Sequence, residues 1–550
     1  MSKTIIYQLF TRLYGNKNTT RKHNGTLAEN GCGKMNDLTN AELKKIAQLG
    51  VTHIWYTGVI RHASTTDYPF ISHKSNANVV KGKAGSPYAI CDYYDIDPDL
   101  AERPEKRLDE FKALVERTHA NGMKCIIDFV PNHVARNYFS DSHPEKEQLG
   151  ATDNPNVAFD PNNNFYYIPG CQFVAPQTDK DAPYIENPAK ASGNDAFTAS
   201  PSIYDWYETV KLNYGVDYSN KSQHFEPKPN TWFKMRDILM FWTSLGIDGF
   251  RVDMAEMVPV EFWTWVIGQI VMRHPNTIFI AETYNPDKYN EYIKAGFNLL
   301  YDKCNFYDTV RDIMQHRHSA RHITDIWQRT PEISRHMLYF LENHDEQRLA
   351  SDFFIGNADK AKAGVILTNT FGNGASMIYF GQELGERGMD EEGFSGRDGR
   401  TTIFDYWAVD SVQKFITGKA DKHAKDLRQW YANLLNTVQK HDALAHGKFY
   451  DLMWINQKIF VDPTKIYTFL RYNDKERFLI ALNFSNDDVQ TKICIPEHAW
   501  QEMGSTWNES LQPVNILNTK QYHQRTSVNN TISSGIELFI PADDGIILKL

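Results

Sequence analysis

The chain has 550 residues, more than one hydrophobic core usually holds, and 41% apolar residues with 13% aromatics exclude a disordered protein. A net charge of −9 and a pI near 6.1 argue against nucleic acid and anionic membrane as partners and favour a neutral substrate. No apolar run reaches membrane-span length, "IIYQLF" near the N-terminus is too short and polar for a secretory leader, and the six cysteines show no C-x-x-C spacing, so a reduced, cytoplasmic setting is expected.

In chain order, the first element is the apolar run "IIYQLF" (5–10), read as a strand. "LTNAELKKIAQLG" follows, with Thr39 and Glu42 in capping-box spacing, apolar residues at helical spacing and a glycine stop. It leads into an extended run from Ile54 to Val59. The same order recurs twice. A helix carrying Leu108, Phe111, Leu114 and Val115 stops at Asn121-Gly122 before "CIIDFV" (125–130), and one carrying Met235, Ile238, Leu239 and Trp242 stops at Gly246 before "GFRVD" (249–253). Short, nearly continuous apolar strands after amphipathic helices predict a parallel sheet buried on both faces. "TIFIAE" (277–282), "FNLLYD" (297–302), "MLYFLEN" (337–343) and "SMIYFG" (376–381) bring the strands to eight, which predicts a closed (β/α)8 TIM barrel in the α/β class. Two regions break this rhythm. The Asn-, Pro- and Tyr-rich stretch after His133 reads as an inserted subdomain after strand 3, and alternating runs such as "KIYTFLRYN" and "RFLIALNFS" read as a C-terminal antiparallel β-sandwich. The expected domains are a barrel over 1–132 and 216–440, an insertion over 133–215 and the β domain over 441–550.

Sites of such barrels lie at the C-terminal ends of the strands. Those ends carry Asp128, Asn132 and His133, then Arg251 and Asp253, then Glu282, then Asn343, His344 and Asp345. One aspartate after a strand is an ordinary turn residue; this many on one rim is a site. Three carboxylates and an arginine, without a serine elbow or phosphate loop, suit glycoside hydrolysis, which needs one ionised and one protonated carboxyl in different environments. Arg251, two residues before Asp253 on the same strand face, should keep Asp253 ionised. Glu282, with no arginine near it in sequence, should be raised by desolvation and serve as the acid and base.

These segments resemble the α-amylase family of retaining glycoside hydrolases and transglycosidases. "DFVPNH" (128–133) is similar to its third-strand motif, "GFRVD" to its nucleophile strand, "AETY" (281–284) to its acid/base strand and "FLENHD" (340–345) to its seventh-strand motif. "SPYAICDYYDIDP" (86–98) resembles the loop that supplies a stacking tyrosine, and "YFGQELGE" (379–386) the eighth strand. The resemblance implies Asp253 as nucleophile, Glu282 as acid/base and Asp345 as transition-state stabiliser. It further implies that Arg251 orients Asp253, that His133 and His344 hydrogen-bond the sugar beside the scissile bond, that Tyr88 stacks on it, that Asn343 borders it and that Asp128 buttresses the site. The implied substrates are α-1,4-linked starch, glycogen or maltooligosaccharides.

No cofactor is needed for that chemistry. Many members hold a structural calcium through the asparagine matching Asn132, and the insertion offers Asp153, Asp160, Asp181, Glu186 and Asp205 as oxygen donors; other branches do without it. This sequence departs from many α-amylases at Glu256 and Met257, where relatives place a lysine and a histidine on the leaving-group side. That leaves a glucanotransferase using the same acids as the rival reading. "GFSGRDGRTTIFDYW" (393–407), after the eighth strand, reads equally as an ordinary loop or as a sugar-binding one. A non-catalytic protein on this fold fits less well, because all three acids are present. A metal hydrolase built on Asp128, His133, His344 and Asp345 lacks supporting H-x-H or H-E-x-x-H spacing.

Overall fold

The computed structural model describes residues 3–178, 182–507, 509–518 and 525–550. Eight parallel strands close into a barrel: β1 (Ile5–Phe10), β2 (His53–Thr57), β3 (Lys124–Phe129), β4 (Gly249–Val252), β5 (Ile278–Ala281), β6 (Leu299–Tyr301), β7 (Met337–Tyr339) and β8 (Ala375–Tyr379). β8 pairs with β1 in register Ile5 to Ser376, so the sheet has no open edge. Each expected strand is present and displaced by no more than a few residues. Their near-continuous apolar character follows from burial on both faces, since almost every strand residue is buried between the barrel interior and the surrounding helices.

The helices behave as their spacing demands. α1 (Asn40–Ala47) is capped by Thr39, whose hydroxyl accepts the Glu42 N–H, but the Glu42 carboxylate turns to Tyr14 and Lys45 instead of closing a capping box. α2 (Arg107–Ala120) buries Phe111, Leu114 and Val115, and α3 (Asn230–Ser244) buries Met235, Ile238, Leu239 and Trp242. After them Gly122 and Gly246 adopt positive φ (75° and 92°), the conformation that turns the chain from helix into strand without a Cβ penalty.

Two further bodies complete the chain. After β3 the backbone leaves the barrel through the short antiparallel pair His133–Ala135 and Thr209–Lys211. The insertion it encloses is organised around the buried Arg136, which pairs with Glu186 at 2.7 Å and lies 3.7 Å from the Phe173 ring centroid. At the C-terminal end, Lys448–Asp451, Ile466–Tyr472, Arg477–Asn483, Gly545–Lys549 and Val514–Asn515 form an antiparallel sheet, accompanied by a second antiparallel pair, Val489–Ile493 and Ile536–Ile540. Among the described residues no helix is long and apolar enough to cross a membrane.

Candidate active site

Strand register builds the site. Arg251 on β4 lies beside Asp128 on β3 and Ile280 on β5. The ladder continues past the strands, with Asp253 N–H donating to Phe129 O (2.9 Å) and Glu282 N–H to Val252 O (3.1 Å), so Asp253 and Glu282 emerge at one height on neighbouring strands. Below them the fully buried Arg251 guanidinium reaches Asp253 Oδ1 at 2.9 Å, Glu282 Oε1 at 2.7 Å and Asp128 Oδ1 at 3.7 Å. The rings of Trp55, Tyr88 and Tyr301 surround its Cζ at 5.3, 5.4 and 5.6 Å. A buried guanidinium needs this many partners to offset its lost hydration.

This geometry corrects the expectation that Arg251 serves Asp253 alone. Cross-strand register, not sequence distance, brings Glu282 equally close. Glu282 also accepts hydrogen bonds from Tyr284 Oη–H (2.8 Å) and from the backbone N–H of Met254 (2.7 Å). Met254 holds that N–H in place by adopting φ +45°, a left-handed conformation worth about 1–3 kcal/mol of strain for a residue with a side chain. The Asp253 carboxyl is raised well above the ordinary range, first by burial and next by the Glu282 charge, with Arg251 opposing both. Burial pushes Asp128 up to about 6, against Arg251 and the Gly58 N–H at 3.1 Å. Arg251 opposes these effects without cancelling them, so Asp253 is not held in the ordinary carboxylate range that the arginine two residues before it in sequence suggested.

The other rim residues fall into two groups. His133, Tyr88 and Asp345 join Asp253 and Glu282 on the wall of a cavity of about 250 Å³. His344, Asn343, Asp128 and Arg251 stand behind that wall. His344 is fully buried, its Nδ1 2.9 Å from Gln8 Nε2 and its Nε2 shared between the Tyr88 hydroxyl and Asp345 Oδ2 (3.1 Å). It therefore positions two wall residues. Asn343 is likewise displaced from the expected sugar contact, because its side-chain oxygen accepts the Asp345 and Glu346 N–H groups (both 2.9 Å) and turns the chain after β7. Burial lowers the imidazole of His133 to about 3 and that of His344 well below its usual value, so both are neutral hydrogen-bonding groups in the working range.

Several wall residues carry no signal in the sequence. Lys81 and Glu208 form a buried pair at 3.1 Å, contributed by two loops without periodicity, and Trp206 packs its ring 5.1 Å from His133. Tyr284 and Met254 flank Glu282. The 393–407 segment supplies Ile403 and Phe404 to the wall, while Arg400 Nε–H donates to the Asp345 backbone oxygen at 2.7 Å. Glu256, in contrast, faces away from this chemistry and accepts the Asn285 N–H at 2.9 Å.

The segment bearing Asp345 is clamped from beneath. Arg348, fully buried, pairs with Glu342 at 2.9 Å and donates to Thr401 Oγ1 and Phe380 O, and Glu342 accepts the Leu349 N–H at 2.6 Å. Burial raises Glu342 to about 7. A carboxyl raised on folding contributes stability that is full below its unfolded value near 4.5 and is lost as pH rises through about 7. Arg348→Met removes the cation, so it should cost about 3–5 kcal/mol at pH 8, where Glu342 is left as a buried anion, and less at pH 5, where it can protonate. Thermal melts at the two pH values check this.

Asn132 tests whether calcium fits. Its side-chain oxygen accepts from the Lys211 ammonium and its Nδ2–H donates to Gly193 O (2.8 Å); Lys211 in turn pairs with Asp195 at 2.7 Å. A cation already occupies the position next to the amide oxygen. The insertion's carboxylates are engaged locally: Glu186 by Arg136, Asp153 by the Asn164 and Phe165 N–H groups, Asp160 by the Asn162 N–H and Asp205 by Ser202 and Asn194. Asp181 lies outside the described residues. Among the described residues no group of three or more His, Cys, Asp or Glu side chains could hold a metal ion, and the donors around Asn132 do not fit one.

Comparison with known proteins agrees with this geometry. The chain matches the family model "Alpha amylase, catalytic domain" over residues 8–439 and "Alpha amylase, C-terminal all-beta domain" over 454–550. It is 23% identical to α-amylase MalA of Haloarcula japonica over 492 residues, covering 88% of this chain and 56% of that protein. It is also 23% identical to α-amylase 3 of Dictyoglomus thermophilum over 532 residues, covering 90% of each. The crystal structure of an Anoxybacillus α-amylase superposes with a TM-score of 0.65 at 18% identity, covering 100% of this chain and 97% of that one. Two family models matched in order across barrel and β domain, on a chain whose strand ends carry the acids, show that it belongs to the α-amylase family and is an enzyme of the glycoside hydrolase type.

Proposed function

We propose that this protein is a retaining hydrolase of α-1,4-glucosidic bonds in starch, glycogen or maltooligosaccharides, with Asp253 as nucleophile, Glu282 as acid/base and Asp345 as stabiliser of the transition state. The observation that carries this reading is the single Arg251 guanidinium shared by Asp253 and Glu282 on the wall of one cavity, with Asp345 also on that wall. Protonated Glu282 gives its proton to the glycosidic oxygen as the bond to the anomeric carbon breaks, and the Asp253 carboxylate bonds to that carbon from the opposite face. Glu282, now ionised, takes a proton from water, whose oxygen displaces Asp253 and restores the starting state. Positive charge on the ring peaks in each transition state, where the Asp345 carboxylate is placed to offset it.

The remaining wall residues suit a neutral sugar. Tyr88, Trp206 and Phe404 offer ring faces to the apolar side of a pyranose, and His133, Lys81 and Glu208 offer hydrogen bonds to its hydroxyls. Incubation with maltoheptaose, followed by chromatography over time, tests the proposal. Shorter products alone are expected; products longer than the substrate would assign a glucanotransferase, and an unchanged α-1,4 chain would refute the substrate class. No metal takes part in the proposed steps, and the Lys211 ammonium against the Asn132 amide oxygen supports a junction built without calcium. Chelation with EDTA should leave both turnover and melting temperature unchanged, a loss of either contradicting it.

A further inference from the structure

A second cavity, larger than the catalytic one at about 460 Å³ and sharing no residue with it, opens where the barrel meets the C-terminal domain. One side is the outer barrel helix His322–Arg329; the other is strand Lys448–Asp451 with the following helix Met453–Asn456. Its aromatic side chains form two groups, one within the cleft and one at its rim. Trp327 stacks on Phe449 (5.5 Å between centroids, 27° between planes), and Phe449 stacks on Phe469 beneath it (5.0 Å, 25°). At the rim Trp454 keeps 48% of its surface exposed, and the His498 ring, which meets both Trp454 and Tyr450 at 5.5 Å, holds it in place. The walls between these rings are polar: Arg321, Asp325, Gln328 and Gln457 line the cavity beside Asp451.

We propose that this cleft is a second carbohydrate site that binds a stretch of α-glucan chain away from the catalytic centre. Asp325 is already paired with His322, and Asp451 accepts from Thr324 and the Met453 N–H, but a purely apolar ligand would desolvate the Arg321 guanidinium and the Gln328 and Gln457 amides without offering them a partner. A pyranose has apolar C–H faces for rings such as Trp454 and Trp327, and hydroxyls at its edge that both donate and accept hydrogen bonds, matching the mixed charged and amide groups. A polyanion is disfavoured, because the lining includes Asp325 and Asp451 and the chain carries a net charge of −9. The position at a domain junction is where ligand clefts form most readily. Such a site holds a polysaccharide near the enzyme without touching the reacting bond, raising the local concentration of chain ends and branches for the catalytic cavity.

The inference rests on the α-glucan reading, and the test separates the two. Trp454→Ala, made at a half-exposed rim position, is compared with the wild type on maltoheptaose and on glycogen. The double variant Asp253→Asn/Trp454→Ala is compared with Asp253→Asn in a glycogen-containing native gel. Expected are an unchanged kcat/KM on maltoheptaose, a KM on glycogen raised about 3- to 10-fold, as loss of one stacked ring gives, and a matching loss of gel retardation. Trp454→Phe, which keeps a ring, should restore most of the retardation. Retardation that is the same with and without Trp454 overturns the second site whatever the kinetics show. A wild type that leaves maltoheptaose intact would instead refute the substrate reading.

Discussion

Asp253→Asn should lower kcat on maltoheptaose by about 10⁴-fold or more while leaving the fold and the melting temperature nearly unchanged. The amide has the carboxylate's shape but cannot form the covalent bond to the anomeric carbon, and removing a nucleophile that acts as a unit with its acid costs most of the rate enhancement. The stability expectation has its own cause. Asp253 is buried beside Glu282 and raised in proton affinity, so neutralising it relieves like-charge repulsion even as it weakens the contact with Arg251. A variant retaining a tenth of wild-type turnover, in a preparation free of other glycosidases, would assign the nucleophile elsewhere.

The second large effect is expected at Arg251. Arg251→Met removes the one cation among the described residues that touches Asp253 and Glu282 and nearly touches Asp128. Without it the proton affinity of Asp253 rises further, and a nucleophile must be ionised to attack. The acid limb of the kcat/KM profile should therefore move to higher pH by about 1–3 units, with an additional loss at the optimum from disordered carboxylates. Arg251→Lys keeps the charge but cannot span both acids as a planar fork, so it should shift the limb less and still lose activity. An unshifted acid limb in Arg251→Met would show that the arginine contributes only packing. His133 and His344, held neutral by burial, should contribute no limb of their own.

The barrel strands and the polar residues at their ends are where the sequence was most informative. Barrel strands are buried on both faces, so runs such as "CIIDFV" and "TIFIAE" are nearly continuous apolar segments and stand out, and polar residues at their ends are conspicuous for the same reason. That Asp253, Glu282 and Asp345 come together on one wall was legible on that ground. The sharing of Arg251 was not, because Arg251 and Glu282 are 31 positions apart in the chain and meet only through the β4–β5 register. Lys81, Trp206 and Glu208 come from loops whose conformation is set by tertiary contacts such as the Lys81–Glu208 pair, and no periodicity marks them. Lys211 in "TVKLNYG" carries no mark in the sequence; its burial against Asn132 and Asp195 is what sets its ammonium at the amide oxygen. Glu256 accepts the Asn285 backbone N–H and does not line the cavity, so it adds no group to the chemistry there.

In the proposed mechanism Asp253 and Glu282 act in succession on one face each of an α-glucosidic bond, through a covalent intermediate. The direct measurement is proton NMR of maltoheptaose cleavage at high enzyme concentration, recording the configuration of newly formed reducing ends before mutarotation. The account predicts that the α-anomer appears first and the β-anomer only later, as equilibration proceeds. Initial release of the β-anomer would mean a single displacement by water and would contradict the role given to Asp253.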